Sequence, residues 1–545
     1  MTDSDIASVP GMEGAERLGH VTSVSGARVA GILRNSDAIV RKPHAQAVQV
    51  GALVKIRTSV STMFGIVSGL NILNPTWPPD RTEKQIMEID LFGEAIDPPN
   101  GGEAMFERGV SVLPALGAGV FATTLADLRR VYARPMVSNV PIGTIHQDRS
   151  LPAFILTDEL LGKHFAVLGT TGSGKSCAVA LIPRSILQQH PHGHIVLLDP
   201  HDEYAHAFPG VAEKLDTSTL QLPYWLLNFA ETVDAIVGRG EEERAAEIGI
   251  LKDAILAAKK SFMGDVAAAN YITVDTPTPY RIGELVQIIK DAMGRLDKPE
   301  KSGPFLRLVS KIDSLRADKR YSFMFSGLVV RDNMASVIGR IIRVPVSSKP
   351  ISIIDLSGVP SEIVDVVVSM LTRIIFDFGV WSSRSGAAPV LLVCEEAHRY
   401  VPSANAGAFQ PTKQQIARIA KEGRKYGVSL CLVSQRPSEL SGTILSQCNT
   451  IFALRMNNER DQEFVANALP ESANGMLDSL PSLRNQEAIV VGEGVTVPMR
   501  VRFNDLPSDC CPQSASVAFS KAWEQDLEAE GFLKETVEHW RRLSA

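Results

Sequence analysis

Eight consecutive residues, from Gly169 to Ser176, read GTTGSGKS and fit the pattern G-x-x-x-x-G-K-[ST]. In such a loop the glycines let backbone N–H groups face phosphate oxygens, and the helix that follows adds the positive end of its dipole. Lys175 is then expected between the β- and γ-phosphates, and the Ser176 hydroxyl on Mg²⁺. ATP and Mg²⁺ are the predicted ligands. The residues predicted to bind the nucleotide are Gly169, Thr171, Gly172, Ser173, Gly174, Lys175, Ser176 and Cys177.

The elements around this loop distinguish a phosphate site from a glycine-rich turn that matches by chance. HFAVLG, which starts at His164, is an apolar strand pattern, and HIVLLDP, which starts at His194, is another. The order strand, glycine-rich turn, helix and strand is typical of a parallel α/β unit and favours the phosphate site. Pro183 lies inside the expected helix, where it removes a backbone donor, so a kink or an early end is expected there.

Two adjacent carboxylates, Glu395 and Glu396, follow an apolar run in PVLLVCEEAH. Nucleotide hydrolysis needs one carboxylate to hold Mg²⁺ and its waters, and a second group to orient the attacking water. The ends of parallel strands are where α/β sheets bind ligands. Because side chains alternate along a strand, we expect Glu395 to face Mg²⁺ and Glu396 to face the attacking water. The alternative is that both only complement the N-terminus of a helix.

Three further polar residues lie near strand ends, and the sequence leaves their roles open. His398 could be a metal ligand or a base, or it could be a structural hydrogen-bonding residue. Asp199 lies in HIVLLDP and Asp355 in ISIIDLSG. Each of these aspartates could face the pocket or could only cap a loop.

The composition is that of an ordinary globular protein. The 545 residues include 55 basic and 61 acidic side chains, with 45% apolar and 21% charged residues, which argues against a disordered chain or a polycation. The six cysteines form no C-x-x-C pair, so neither a zinc site nor a disulfide framework is expected. The apolar stretch from Ile363 to Trp381 is interrupted by Asp365, Arg373 and Asp377, so it predicts a buried helix and not a bilayer span. Since the N-terminus lacks a basic and apolar leader, we expect a cytoplasmic protein without a membrane segment.

The apolar pattern divides the chain into four regions. Residues 1–15 are small, polar and acidic, and are expected to be disordered. Residues 16–150 contain short β-rich runs, of which PIGTI near Pro141 is the last, and predict a small barrel or sandwich. Residues 151–505 predict an α/β core, and residues 506–545 a charged helical tail.

The core itself contains a long stretch without strand patterns. Residues from about 211 to 340 follow a 3.6-residue period and predict a helical insertion. Three apolar runs after it, ISIIDLSG, PVLLVCEEAH and VSLCLVSQRP, suit strands that are covered on both faces. IFALR is a weaker fourth run, and VPMRVRF could be a last strand.

Six segments, in a fixed order, carry a resemblance to a known family. They are GTTGSGKS, DPHDEY, IDLSG, EEAHRYVP, IAKEGRKYGVSL and LVSQRPSELSGTILSQCNT. Together they resemble the HerA-type ATPases of the HerA/FtsK superfamily, and the resemblance covers roughly residues 15 to 505. It implies an N-terminal β-barrel of the HAS type and a RecA-like P-loop ATPase core with a helical insertion. It also implies a hexameric ring that moves double-stranded DNA through its channel.

The resemblance assigns roles to individual residues. It implies that Glu395 is the Walker B acid on Mg²⁺ and that Glu396 is the catalytic base. Gln435 resembles the polar sensor of the γ-phosphate. Arg424 resembles an arginine finger that is offered to the ATP of a neighbouring subunit, a contact worth about 10³ to 10⁵ in rate.

Lys163 and Asp202 fit the family pattern less clearly. Lys163 lies where relatives place a second basic contact, and it could equally be a solvated lysine. Asp202 stands in DPHDEY where the family commonly shows glycine. The loop is expected to differ there because the backbone freedom of glycine is absent.

A local excess of positive charge marks a candidate DNA contact. Residues 413–460 contain eight Lys or Arg against three Glu, inside a chain of net charge −6. Duplex DNA binding relies on basic contacts to phosphates, so this segment is a candidate, although it could instead form a subunit interface. The loop VPSANAGAFQPTK could line a pore or lie on the surface.

The resembled family works with partners. These are a nuclease in DNA-end processing, or an effector such as a sirtuin-like NADase or a nuclease in anti-phage defence. The expected function is therefore a hexameric, ATP-dependent double-stranded DNA translocase or helicase with such a partner. The alternative is a ring scaffold whose bound ATP organises and activates the effector without processive translocation.

Overall fold

The structure is a computed structural model, and it describes residues 15–34, 48–58, 60–73, 84–96, 104–238, 244–264, 270–294, 299–325, 330–384, 386, 388–403, 410–469, 474–513, 519–524 and 529–543. The disorder expected for the N-terminus falls on residues outside these ranges, as does part of the VPSANAGAFQPTK loop. The chain forms two compact units. The first comprises Met1–His190, Glu396–His398 and Ser429–Leu506, and the second comprises Pro191–Glu395, Arg399–Val428 and Pro507–Ala545.

The described residues form strands and helices with the following bounds. The strands are β1 Arg17–Ser25, β2 Arg28–Leu33, β3 Leu53–Arg57, β4 Ser61–Leu73, β5 Lys84–Ile96, β6 Met105–Arg108, β7 Gly119–Ala122, β8 Asn139–Ile145, β9 Pro152–Leu156, β10 His164–Leu168, β11 His194–Asp199, β12 Ala212–Leu215, β13 Ile351–Asp355, β14 Val390–Cys394, β15 Val428–Ser434, β16 Cys448–Leu454, β17 Glu487–Gly492 and β18 Met499–Phe503. The helices are α1 Leu125–Val131, α2 Thr157–Leu161, α3 Lys175–Gln189, α4 Phe229–Ile236, α5 Ala245–Met263, α6 Ile282–Gly294, α7 Gly303–Ala317, α8 Ser322–Phe325, α9 Met334–Ile342, α10 Val364–Ser382, α11 Gln410–Glu422, α12 Gly442–Leu445, α13 Glu459–Asn467, α14 Asn474–Leu477, α15 Phe519–Trp523 and α16 Ala529–Leu543.

The first seven strands form a barrel in the first unit. Their order is β2-β1-β7-β3-β4-β5-β6, and an antiparallel pairing of β2 with β5 closes six of them into a ring, while β6 extends the sheet from β5. Inward-facing side chains fill the barrel, as in other small closed sheets. Its apolar core contains Leu18, Val21, Val29, Val54, Ile56, Met63, Val67, Met87, Ile89, Leu91 and Val120. The predicted N-terminal barrel is confirmed.

The other strands of the first unit form a second sheet, in the order β15-β10-β16-β17-β18-β8-β9. β10 pairs in parallel with β15 and β16, and the pairings from β16 onward are antiparallel. The PIGTI run, which we expected in the barrel, lies in β8 and pairs with β18 and β9. Its apolar pattern shows that it is a strand, but its partner β18 lies more than 350 residues later, so local pattern does not reveal which sheet it joins.

In the second unit, β12, β13, β11 and β14 lie side by side in this order, and all their pairings are parallel. β13 and β14 are buried along their whole length, as continuous apolar runs predict for parallel strands. β12 corrects the expectation that strand character is lost from about residue 211. Its sequence, AEKL, is short and half charged, so it contains no apolar run that could indicate a strand.

Helices α4 to α9 form the insertion that the 3.6-residue period predicted. A buried ion pair fixes α4 of this insertion to α10. Arg373 donates from Nε to Glu231 Oε1 at 3.0 Å and from Nη2 to Glu231 Oε2 at 2.9 Å. Two parallel, charge-assisted hydrogen bonds hold the guanidinium in one orientation. They therefore fix the position of α4 on α10 as well as holding the two helices in contact. The predicted helical insertion is confirmed.

Two long helices test the expectations for the P-loop helix and for the apolar stretch from Ile363 to Trp381. α3 continues to Gln189 with Pro183 inside it, so the expected early end is wrong. Pro183 removes one backbone hydrogen bond, and the buried apolar face of the helix stabilises it across that gap. α10 is largely buried, as predicted. Within the described parts of the chain, none of the helices combines the length and apolar character that crossing a bilayer requires.

Candidate active site

The glycine-rich loop is tethered to the strands on both sides of β10. The Gly169 N–H donates to the carbonyl of Ser434 at 3.2 Å, and the Thr170 N–H donates to the carbonyl of Arg455 at 3.0 Å. Ser434 ends β15, and Arg455 follows β16. The loop therefore lies at the carboxyl edge of three parallel strands, which is where α/β sheets place their ligands.

The backbone of the loop requires glycine at three positions. Gly172 and Gly174 have φ angles of 76° and 95°, a region that favours glycine. A Cβ atom on Gly169 would lie 2.8 Å from the Cβ of Leu454. Since α3 begins directly after Gly174, the loop combines a glycine cradle with the N-terminus of a long helix. This arrangement fits a phosphate group, as the sequence pattern predicts.

Glu396 is brought to the P-loop lysine. Lys175 Nζ lies 4.0 Å from Glu396 Oε1, and both side chains are 8% exposed. The strand before Glu396 ends at Cys394, and Glu396 has a φ angle of 50°. The expectation that strand alternation orients Glu396 is therefore wrong. A left-handed turn directs its side chain, because the strand has already ended.

Gln435 is joined to the P-loop by a side-chain contact. It follows β15 directly, and its Oε1 accepts a hydrogen bond from Thr171 Oγ1 at 2.5 Å. Thr171 is itself one of the predicted nucleotide-binding residues. The structure thus brings Lys175, Thr171, Glu396 and Gln435 together within the first unit, although 260 residues of sequence separate Lys175 from Gln435.

His398 is hydrogen-bonded to Ser434 and lies close to Glu396. Its Nδ1 lies 3.2 Å from Glu396 Oε2 and 3.3 Å from Ser434 Oγ, and its side chain is 13% exposed. The Ser434 Oγ also accepts a hydrogen bond from the Arg436 N–H at 3.0 Å. Sequence reasoning did not identify Ser434, because a serine at the end of an apolar strand carries no recognisable signal.

Glu395 belongs to the second unit. Its N–H donates to the carbonyl of Leu198 in β11 at 3.3 Å, and the residue is 3% exposed. This places Glu395 at the carboxyl end of the parallel strands β11 and β14. The assignment of Glu395 to Mg²⁺ stays a prediction.

Asp199 and Asp355 both cap loops in the second unit. Asp199 accepts hydrogen bonds from the His201 N–H at 3.2 Å and the Tyr204 N–H at 3.0 Å, and its burial raises the pKa of its carboxyl. Asp355 accepts from the Ser357 N–H at 2.9 Å and the Ser357 hydroxyl at 2.6 Å. Of the two readings that the sequence left open, the structure supports loop capping for each.

Comparison with known proteins points to one family. The family model described as "Helicase HerA, central domain" matches residues 140–375, a span that contains the P-loop. The DNA double-strand break repair helicase HerA of Pyrococcus furiosus is 27% identical over 409 residues, which cover 67% of this chain and 69% of the relative. The probable helicase MJ1565 of Methanocaldococcus jannaschii is 24% identical over 505 residues, which cover 88% of this chain and 91% of the relative. The chain is similar to the HerA-type ATPases over this span.

Solved structures are less similar to this chain in sequence than these relatives. VirB4 of Thermoanaerobacter pseudethanolicus gives a TM-score of 0.47 at 16% identity and covers 69% of this chain and 98% of its own. The bacterial conjugative coupling protein TrwB gives a TM-score of 0.45 at 13% identity and covers 72% of this chain and 94% of its own. The strand order, the P-loop and the helices confirm the predicted fold class of an α/β P-loop core with an N-terminal barrel and a helical insertion.

Arg424 is exposed in the second unit. It lies in the 3-10 turn Gly423–Tyr426, which ends at Gly427 with a φ angle of 71°. The ring of Tyr426 packs edge-on against Phe376 of α10, with centroids 5.7 Å apart. A rigid turn therefore presents the Arg424 side chain to solvent. Its role as an arginine finger stays a prediction.

Lys163 is not a freely solvated lysine. Its Nζ donates to Glu159 Oε2 at 2.8 Å and contacts Glu493, and these hydrogen bonds raise the pKa of its ammonium. Glu493 is held in turn by Asn449 Nδ2 at 3.0 Å. The structure thus places Lys163 in an ion-pair network within the first unit.

Asp202 adopts a left-handed backbone conformation, which glycine favours, at the position where the resembled family commonly has glycine. Its φ angle is 55°, and its Oδ1 accepts a hydrogen bond from Lys214 Nζ at 2.7 Å. Lys214 also lies 3.0 Å from Asp355 Oδ2. Aspartate tolerates the left-handed region better than most residues, so the loop keeps a glycine-like backbone at this position.

Proposed function

We propose that this chain is an ATP-driven motor that moves along double-stranded DNA. The observation that supports the proposal most directly is the 4.0 Å approach of Lys175 Nζ to Glu396 Oε1 at the P-loop. A triphosphate held by the P-loop lysine is then next to the carboxylate that can orient water. Both groups are buried, so their electrostatic interactions are weakened little by solvent.

The proposed hydrolysis divides the work among few residues. The glycine cradle and Lys175 hold the β- and γ-phosphates, and Thr171 connects that cradle to Gln435, which senses the γ-phosphate. Glu396 accepts a hydrogen bond from the attacking water and takes its proton. Ser176 and Glu395 would hold Mg²⁺, which neutralises charge on the phosphates when it is bound.

Arg424 supports the subunit contact that the proposed ring of six subunits requires. An exposed arginine on a rigid turn can reach a triphosphate held by the next subunit, where its charge stabilises the transferred phosphoryl group. Subunit contact then becomes a condition of turnover. The exposure of the Arg424 side chain on this turn supports such a reach.

Duplex DNA is the proposed substrate along which the motor moves. Relatives in the comparison are named as DNA double-strand break repair helicases. Most basic residues of the positively charged segment 413–460 have exposed side chains, which is what contact with a phosphate backbone requires. These residues are Arg418, Lys421, Arg424, Lys425, Arg436 and Arg460. A nuclease or a sirtuin-like effector is the proposed partner, because the candidate site described here explains ATP hydrolysis and no cutting.

Two substitutions test the proposed motor. Lys175→Ala should abolish ATP hydrolysis by weakening nucleotide binding, since it removes the cation from the phosphates. Glu396→Gln should reduce the DNA-stimulated kcat by about 10² to 10⁴ while ATP still binds, because the amide cannot take a proton. Steady-state hydrolysis with and without duplex DNA, together with ATP binding measured by calorimetry, checks both.

Matched controls are available on the surface. Glu463→Gln and Lys252→Ala make the same chemical changes at exposed positions, and both should leave hydrolysis and binding unchanged. A Glu396→Gln protein that turns over at the wild-type rate would refute the assignment of the base. Hydrolysis that does not respond to DNA across a wide range of salt would favour the ring scaffold over the motor.

A further inference from the structure

His398 lies beside the carboxylate of Glu396, which the proposed function requires. It also contacts the end of β15, which is followed by the proposed sensor Gln435. One ring nitrogen, Nδ1, makes both contacts, at 3.2 Å to Glu396 Oε2 and at 3.3 Å to Ser434 Oγ. A carboxylate can only accept hydrogen bonds, so the Nδ1 must carry the proton for the contact with Glu396 to be favourable. A single N–H group therefore lies near two acceptors: it is hydrogen-bonded to Ser434 Oγ, and Glu396 Oε2 is within reach of it.

The Glu396 carboxylate needs such a contact for a physical reason. A glutamate side chain has three rotatable bonds, and holding it in one orientation costs up to about 2 kcal/mol of conformational entropy. Lys175 lies near Oε1, but the phosphates of a bound nucleotide attract the same ammonium group. The His398 contact is on the other oxygen, Oε2, so it remains when Lys175 turns to the phosphates.

The second acceptor connects His398 to the sensor. Ser434 is the last residue of β15, and its carbonyl accepts the Gly169 N–H of the P-loop. The next residue, Gln435, contacts Thr171 of the same loop. A shift of the β15 end caused by the γ-phosphate would therefore lengthen the hydrogen bond from Nδ1 to Ser434 Oγ and release the N–H toward Glu396.

We propose that His398 is a positioning residue for Glu396, which fixes the carboxylate of the base through Nδ1–H and couples its orientation to the β15 end at Ser434. The inference rests on the proposed role of Glu396. It assigns no proton transfer to the imidazole and requires no metal at this residue. It predicts that the ring matters for kcat and not for ATP binding.

Three variants test the proposal by kinetics. His398→Ala should lower kcat by about 10- to 100-fold, since hydrogen bonds to charged groups are worth more than neutral ones, while KM and the ATP dissociation constant change less than about threefold. His398→Asn places an amide N–H close to the position of Nδ1, so it should restore most of the loss. His190→Ala, at an exposed histidine of the same unit, should leave kcat unchanged.

A double variant separates positioning from general support of the fold. In the Glu396→Gln background, His398→Ala should have little further effect on the residual kcat, because the group that it positions is already changed. Melting temperatures show whether each variant is folded. Wild-type kcat in His398→Ala would overturn the proposal, and so would a loss that Asn does not rescue and that adds fully to Glu396→Gln. If Glu396→Gln alone hydrolyses ATP normally, the proposed function fails and not only the role of His398.

Discussion

Replacing Gly379 by alanine changes the support of the turn that presents Arg424. Gly379 lies in α10, and an added Cβ atom would be 2.9 Å from the carbonyl oxygen of Tyr426 and 2.7 Å from Cγ2 of Val428. Tyr426 ends the 3-10 turn Gly423–Tyr426. The turn can therefore approach α10 this closely because Gly379 has no side chain.

The size of the effect follows from two opposing terms. Alanine is favoured over glycine in a helix interior by about 1 kcal/mol. Against this, the Tyr426 carbonyl must retreat by about half an ångström to reach an ordinary contact distance, and such overpacking costs about 1–3 kcal/mol. Since a 1 Å misplacement of a catalytic group can cost about 10²-fold, half that displacement predicts a fall in kcat of roughly tenfold.

Steady-state ATP hydrolysis by the assembled protein, with nucleotide binding measured in parallel, checks this prediction. Gly249→Ala is the matched control, because Gly249 is an exposed helical glycine with nothing within 4 Å of an added Cβ. It should gain about 1 kcal/mol of stability and leave hydrolysis unchanged. Arg424→Ala sets the maximum loss. Wild-type kcat in Gly379→Ala would refute the reasoning, because a turn that can move without effect is not positioning a catalytic cation.

Two stability predictions concern buried lysines. Lys259 donates to the carbonyls of Val274 and Thr276, and burial lowers its pKa to about 8. As the pH rises, the native state loses this proton before the unfolded state does. The free energy of unfolding should therefore rise by on the order of 3 kcal/mol between about pH 8 and 10.5. Urea titrations of the Lys259→Met variant should show a smaller rise. In the barrel, Lys55 Nζ lies 2.8 Å from Asp127 Oδ2, and both side chains are at most 5% exposed. Asp127→Asn should therefore destabilise the protein by about 3–5 kcal/mol in thermal unfolding, while adding Lys55→Met should recover most of the loss; an equal loss in the double variant would contradict the ion-pair explanation.

The nucleotide loop is the part of the site that sequence predicts best. Its chemistry depends on residue types at fixed local spacing, and the glycines at 172 and 174 have the backbone angles that the pattern implies. Glu396 could also be placed near Lys175 from sequence, because parallel strands end at a common edge. The reason given for its orientation was wrong, since alternation along a strand says nothing about a residue that lies beyond the strand's end.

Other parts of the fold depend on contacts that are distant in sequence. β12 has no apolar run, and β8 joins a sheet whose next strand, β18, follows more than 350 residues later. The hydrophobic periodicity of a single segment reveals neither of these features. The Arg373–Glu231 pair that anchors the helical insertion is likewise separated by 142 residues, so sequence predicted the insertion but not its attachment.

Ser434 and His398 show the same limit within the site. A lone histidine after a strand and a serine at the end of another strand are individually common, and neither type alone indicates a function. Their meaning appears only when β15 brings Ser434 to 3.3 Å from the ring nitrogen. Polar networks of this kind depend on several residues at once, so spacing in one segment cannot identify them.

The backbone at Glu396 gives an independent reason to assign it a chemical role. A φ angle of 50° is unfavourable for a glutamate by about 1 kcal/mol, and such strain is found mainly where function requires it. Asp202 adopts a similar angle, but aspartate tolerates that region well and its carboxylate is satisfied by Lys214. Glycine at position 396 would relieve the strain and would remove the carboxylate beside Lys175. A glutamate in a conformation that favours glycine is expected where the chemistry of the side chain outweighs the preference of the backbone.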